Sequence, residues 1–208
     1  MLYDGLLDMV GWDLQKTLGL FRKSNPPLYE KLQSPIVYRQ TGSFVSRIQE
    51  LMPDYYSPIG CMYHYLRIAQ GNYQKYIRGK SIIGKRCFYI LRPVLACIWI
   101  ERDLGPVPME FAALVDRVIA DPVLREAIDQ LLARKKEGKE LDLVDQIPVI
   151  TEFLRSQIDR MSAELERPAI TKEFGKLDAL FLDLLNESYG VTLTPDSPSE
   201  TTPGVSNS

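Results

Sequence analysis

Lys85, Tyr89 and Arg92 stand at i, i+4 and i+7 in the apolar stretch Gly84 to Arg102, GKRCFYILRPVLACIWIER. At 3.6 residues per turn the three share one helical face, within about 60° of one another. Cationic side chains there can hold phosphate oxygens, and a phenol beside them can stack or hydrogen-bond. From Pro93 to Ile100 no side carries a polar residue, and a helix apolar all round is a core helix. Cations beside a core need anions, which are either carboxylates of neighbouring helices or the phosphates of a ligand. The residues alone leave both readings open.

A second set of cations precedes this helix. The stripe His64, Arg67, Gly71, Lys75 and Arg78 lies opposite the apolar face of the preceding segment. Two antiparallel helices carrying these side chains make a cationic wall suited to a triphosphate or a nucleic-acid backbone, although such a stripe is most often a solvated face. Arg22 and Lys23 open the motif RKSNPP at the end of an earlier helix. The helix dipole alone favours cations there by about 0.3–1 kcal/mol, so they need no ligand. His64, the single histidine, has no Ser or Cys nucleophile motif with it and reads as a packing or surface residue. No P-loop, dinucleotide or H-E-x-x-H signature is present. Asp4, Asp8 and Asp13 lie close together, and Asp8, at the end of a short strand, is the one carboxylate nominated as a metal ligand.

The elements that position these residues read as mainly helical. LLDMV, Leu6 to Val10, reads as a short strand entering Gly11 with no evident partner, and an orphan strand suggests missing sequence. Helices are expected over 12–23, 28–33, 44–52, 57–78, 85–102, 109–120, 123–136, 147–165 and 174–188. Ser57-Pro58 is an N-cap and N1 pair, and Gly190 closes the last helix. The turn at 79–84 brings the helices on either side into an antiparallel pair, and Pro93 is expected to kink the second. The Thr/Ser/Pro-rich tail 191–208 is expected to be disordered.

The 208 residues suffice for one main domain. Residues 1–102 hold 14 Lys and Arg against 7 Asp and Glu, whereas residues 103–208 hold 11 against 20, so the first half is the one to meet phosphate. Three cysteines without C-x-x-C spacing read as reduced, buried thiols, and a lone histidine leaves oxygen ligands as the choice for any metal. No cationic leader begins at Met1 and no apolar run approaches about 18 residues, so the chain reads as cytoplasmic, with no membrane partner.

GWDLQKTLGLFRKSNPPLYEKLQSPIVYR and GKRCFYILRPVLACIWIE resemble the predicted nucleotidyltransferases of the polymerase-beta superfamily, of the YcgL or RNA-ligase-associated (RlaP) type, over about Asp4 to Phe111. The resemblance implies an α/β catalytic domain followed by a helical region, so that 1–11 is a remnant of the first and 12–190 the second. It implies transfer of a nucleoside monophosphate from a nucleoside triphosphate to an acceptor, RNA or protein, with two Mg²⁺ ions clamping the attacking and leaving oxygens. In that scheme Asp8 is the third metal carboxylate. By charge and spacing, Arg22, Lys23, Ser24, Asn25, Arg67, Lys85, Tyr89 and Arg92 would hold the nucleotide. The Gly-Ser element followed by Asp-x-Asp that such enzymes carry upstream is not in the chain. Thr41-Gly42-Ser43 has no D-x-D after it and lies downstream of Asp8. The expectation is a truncated chain, inactive alone. The competing reading is a non-catalytic helical module that binds RNA or a protein partner through its basic half.

Overall fold

A computed structural model describes residues 2–4, 7–77, 81–138, 143–145, 147–166, 169 and 172–190, with the backbone alone given for the strands and for residues 84 and 85. The 191–208 tail lies outside them. The chain is mainly α, with ten helices among the described residues: α1 Leu14–Arg22, α2 Pro26–Leu32, α3 Phe44–Glu50, α4 Met52–Tyr55, α5 Pro58–Tyr76, α6 Gly84–Glu101, α7 Phe111–Val118, α8 Pro122–Lys136, α9 Pro148–Glu164 and α10 Gly175–Tyr189.

The helix ends follow local chemistry. Asp13 accepts from the Lys16 N–H at 2.7 Å to open α1, and Ser57 accepts from the Gly60 N–H at 3.1 Å to open α5. Asp121 takes the N–H groups of Val123 and Leu124 at 2.8 and 3.0 Å to open α8. Each of these side chains satisfies donors that have no partner within the helix. Gly190, at φ 63°, ends α10 in the left-handed conformation that glycine adopts without steric cost.

Two short ribbons accompany the helices. Leu7–Met9 (β2) pairs antiparallel with Leu2–Asp4 (β1), Tyr3 opposite Asp8. The strand expected to be an orphan therefore has its partner five residues upstream, within the chain. The turn expected at 79–84 contains a strand, Ser81–Ile83 (β3), paired with Leu143–Asp145 (β4). Three residues are too few to show alternation, and their partner lies about sixty residues away in the acidic half. Each sheet has two strands, so among the described residues no remnant of an α/β sheet is seen.

Apolar side chains gather in two clusters. The larger forms around α6, whose Ile90, Leu91, Val94, Leu95, Ala96 and Cys97 are fully buried among α5, α7, α8 and α9. The all-round apolar character of 93–98 thus has its cause: helices cover every side. The smaller cluster joins Leu18 and Phe21 of α1, Leu28 and Tyr29 of α2, Ile48, Tyr55, and Leu177, Leu180 and Leu184 of α10. Phe21 and Tyr29 stack with centroids 5.1 Å apart, and Tyr55 leans on Phe21 at 5.4 Å. Tyr56 packs against both clusters.

Candidate nucleotide-binding face

Helices α5 and α6 form the antiparallel pair that the spacing predicts, with the Cys97 thiol against the Met62 carbonyl and the Asn72 amide donating to the Tyr89 carbonyl at 2.9 Å. From Tyr55 to Ile100 there is no Asp or Glu, while Arg67, Lys75, Arg78, Lys80, Lys85, Arg86 and Arg92 supply seven cations. The charge of the first half is therefore concentrated on one hairpin. Arg78 and the Lys85 side chain lie outside the described residues.

Arg92 turns toward α2. One guanidinium nitrogen lies 3.1 Å from a Glu30 carboxylate oxygen and donates to the Pro108 carbonyl at 3.0 Å; the other donates to the Met109 carbonyl at 2.9 Å. The Tyr65 hydroxyl donates to the same Glu30 oxygen. Arg92 and Glu30 side chains are 24% and 17% exposed, so the pair is largely withdrawn from water. Burial raises the Tyr65 phenol well above its ordinary pKa, and the Glu30 charge adds to the effect. The anion that the apolar helix required is thus a carboxylate of this chain, and Arg92 ties α2, α5 and the loop before α7 together. Tyr89, one turn earlier, points outward and is 45% exposed.

The 22–25 segment is held mainly by internal contacts. Arg22 stacks its guanidinium 3.8 Å from the Phe174 ring centre and reaches the Lys172 carbonyl at 3.4 Å, while its buried Nε has no partner among the described residues. Ser24 is buried at φ 52°; its hydroxyl donates to the Tyr55 carbonyl at 3.1 Å and accepts from the Ser57 N–H at 2.8 Å. Asn25 is the N-cap residue of α2, making no side-chain cap bond but accepting at its carbonyl from the Leu28 and Tyr29 N–H groups. Lys23 is exposed. Its carbonyl meets the His64 ring, whose pKa is held below the ordinary 6.5 chiefly by burial. Arg67 is exposed and donates to Gln70 within its own helix at 2.9 Å. The structure therefore brings Arg92, Tyr65 and Glu30 together, leaves Lys23, Arg67 and Tyr89 facing outward, and makes Ser24 a structural staple.

Asp8 sits in β2, and its side chain lies outside the described residues. Among the described residues no three His, Cys, Asp or Glu side chains come together as a metal site. Glu30, which meets the hairpin, is already engaged by Arg92 and Tyr65, so the described residues do not fit a Mg²⁺ pair. The Gly-Ser pair also has an internal occupant: the Ser43 N–H and hydroxyl both bind the Glu187 carboxylate, beside Gly42 at φ 68°. All three cysteines are free and buried, and burial pushes the Cys61 and Cys87 thiols up to about 12. No helix among the described residues is long and apolar enough to cross a membrane.

Reasoning from residues missed Glu30 and the pairing of Lys75 with Arg86. Glu30 had a signal, being the sole acid between Asp13 and Glu50. Lys75 and Arg86 flank the Tyr76 ring at 5.2 and 4.9 Å from its centre, which joins two cations from different helices. That juxtaposition depends on the register of α5 against α6, which composition does not reveal.

Comparison with known proteins gives a consistent result. Residues 1–183 match the model of the RlaP family, the RNA repair pathway DNA polymerase beta family. The chain is 41% identical over 186 residues to the uncharacterized protein YcgL of Bacillus subtilis (strain 168), a match covering 88% of this chain and 72% of that one. No solved structure matches. The likeness placed at 4–111 by residue reading therefore continues through the acidic half to α10.

Proposed function

Because the chain belongs to the RNA repair pathway DNA polymerase beta family, we propose that it serves nucleotidyl transfer. An acceptor hydroxyl on RNA or protein attacks the α-phosphorus of a nucleoside triphosphate, the bond to the β-phosphate oxygen breaks, and pyrophosphate leaves. The observation that carries this reading is the stretch Tyr55 to Ile100, α5 and all of α6 but its last residue, which holds seven cations and no Asp or Glu in a protein of net charge −2. On it we assign Lys85 and Arg67 to the phosphates and Tyr89 to the base, with Lys23 approaching from the end of α1. Arg92, Arg22, Ser24 and Asn25 are positioning residues in this reading: Arg92 fixes α2 to α6, and the 22–25 segment fixes α1 to the start of α5. Asp8 is the carboxylate assigned to the reacting end. Mg²⁺ comes with the family resemblance, and no step is routed through it here. We take the helical region as 12–190, preceded by the β1–β2 ribbon.

The test has two parts. Binding of a nucleoside triphosphate, followed by calorimetry, is expected to weaken at least about tenfold in Lys85→Ala and in Arg67→Ala, as for loss of a charge-assisted hydrogen bond. Label from an α-labelled triphosphate is then followed into RNA or protein, with Asp8→Asn expected to stop transfer while binding persists. Absence of nucleotide binding, or binding indifferent to both cations, refutes the reading in favour of a non-catalytic module.

A further inference from the structure

We propose that the outer stripe of α5, with Arg86 of α6, is a track for a single-stranded polynucleotide, which extends along α5 beyond the nucleotide position assigned above and shares Arg67 and Tyr89 with it. Arg67, Gly71 and Lys75 follow one another at i, i+4 and i+8 and are all exposed. At 1.5 Å per residue Arg67 and Lys75 stand about 12 Å apart along the helix. A single strand, with one phosphate per nucleotide, can engage both ends at once. Arg86 joins them from α6, brought to Lys75 by their shared contact with the Tyr76 ring. Among the described residues none of the three cations has a carboxylate within ion-pair distance, in contrast to Arg92, Arg47, Arg125 and Arg160.

Gly71 is the second observation. It lies inside a 19-residue helix, where glycine is the least favourable residue except proline. A side chain added there would meet nothing within 4 Å. No contact within the described chain calls for a glycine, whereas close approach of a strand to the helix between two flanking cations does. The half-exposed Tyr89 ring on the neighbouring helix gives an unpaired base a face to stack on, which a duplex does not offer it. In the nucleotidyl-transfer reading such a strand is the acceptor, but the surface stands without that reading.

The test uses the full chain and fluorescein-labelled single-stranded oligonucleotides of about ten residues, RNA and DNA of one sequence, with anisotropy as the readout. Three phosphate contacts give a slope of log affinity against log salt of about −2, since each contributes about 0.7 on a single strand. Lys75→Gln with Arg86→Gln should reduce that slope to about −0.7. Gly71→Glu puts a carboxylate in open space at the middle of the stripe; it should weaken binding at least about tenfold while the protein melts no lower than its parent, because glutamate is the better helix former. Binding of either oligonucleotide with these losses supports the track, and the tighter of the two identifies the natural source. Binding of neither, binding untouched by Gly71→Glu, or a duplex bound as tightly as the single strand overturns it. Triphosphate binding by the parent, measured separately, decides the preceding reading, so either can fail alone.

Discussion

Replacing Glu30 by Gln tests how the basic hairpin is held to the rest of the molecule. The substitution keeps the shape of the side chain and its capacity to accept from Tyr65, but removes the charge facing Arg92 at 3.1 Å. Breaking a fully buried ion pair by removing one partner costs about 3–5 kcal/mol, because the remaining charge stays buried. Here about a fifth of each side chain still meets water, and Arg92 keeps the Pro108 and Met109 carbonyls, so the expected loss is about 2 kcal/mol. In a chain of this size that lowers the melting temperature by about 4–8 °C. Urea denaturation of the parent, Glu30→Gln, Arg92→Met and the double variant forms a cycle in which the two single losses should fall short of additivity by about 1–2 kcal/mol. A loss below about 0.5 kcal/mol in Glu30→Gln, or strict additivity, would show that the pair is a surface contact of the usual weak kind and that Arg92 does not fix α2 to α6.

Other perturbations follow from the same geometry. Ser24→Ala leaves the Tyr55 carbonyl and Ser57 N–H without their shared partner and should destabilise by about 1–2 kcal/mol in urea melts; an unchanged midpoint would remove its role as a staple. Arg47→Ala removes an ion pair to Asp183 whose partners are 36% and 53% exposed, so its cost should stay below about 1 kcal/mol and well under that of Arg92→Ala, with equal costs contradicting the contrast. The single histidine should titrate in NMR with a midpoint below 6.5, because burial disfavours its charged form. Between the unfolded and folded values the unfolded chain binds the extra proton, so His64 makes stability fall as pH drops through that window and level off below it. A midpoint at or above 6.5 contradicts the burial. Finally, none of the three cysteines should react with a disulfide reagent at pH 8 on the timescale on which the urea-unfolded chain is fully labelled, and rapid modification of even one would contradict the closed core around α6.

The sequence made the helices legible where their ends carry explicit chemistry: Ser57-Pro58 and Gly190 each mark a terminus that the structure places within a residue or so. The burial read for 93–100 holds over 93–98, where nothing polar interrupts it, while Trp99 and Ile100 are half-buried. What depended on pairing across distance was not. The β3–β4 ribbon joins segments about sixty residues apart through three residues a side, too short for a pattern. Arg92 had two physically equal partners on paper, and only the placement of α2 against α5 and α6 decides for Glu30. Ser24 looked like a phosphate-binding turn residue because its position after Arg22-Lys23 was visible, whereas the Tyr55 and Ser57 groups that use its hydroxyl lie some thirty residues on. The charge asymmetry located the excess of cations in the first half of the chain but not its confinement between Asp54 and Glu101.

The helix that completes the smaller cluster, α10, is the last one described in the chain, and the residues it covers are among the first. Phe21 and Tyr29 are sealed by Leu177, Leu180 and Leu184, and Arg22 finds its stacking ring at Phe174. During synthesis at about 5–20 residues per second, α1 and α2 therefore wait on the order of 10–30 s before their cover is made. The α5–α9 bundle, whose partners are nearer in sequence, can close in that interval. A segment made before the bundle is thus among the last to reach its final packing, and in the meantime it presents Leu18, Phe21 and Leu28 to whatever binds apolar nascent chain.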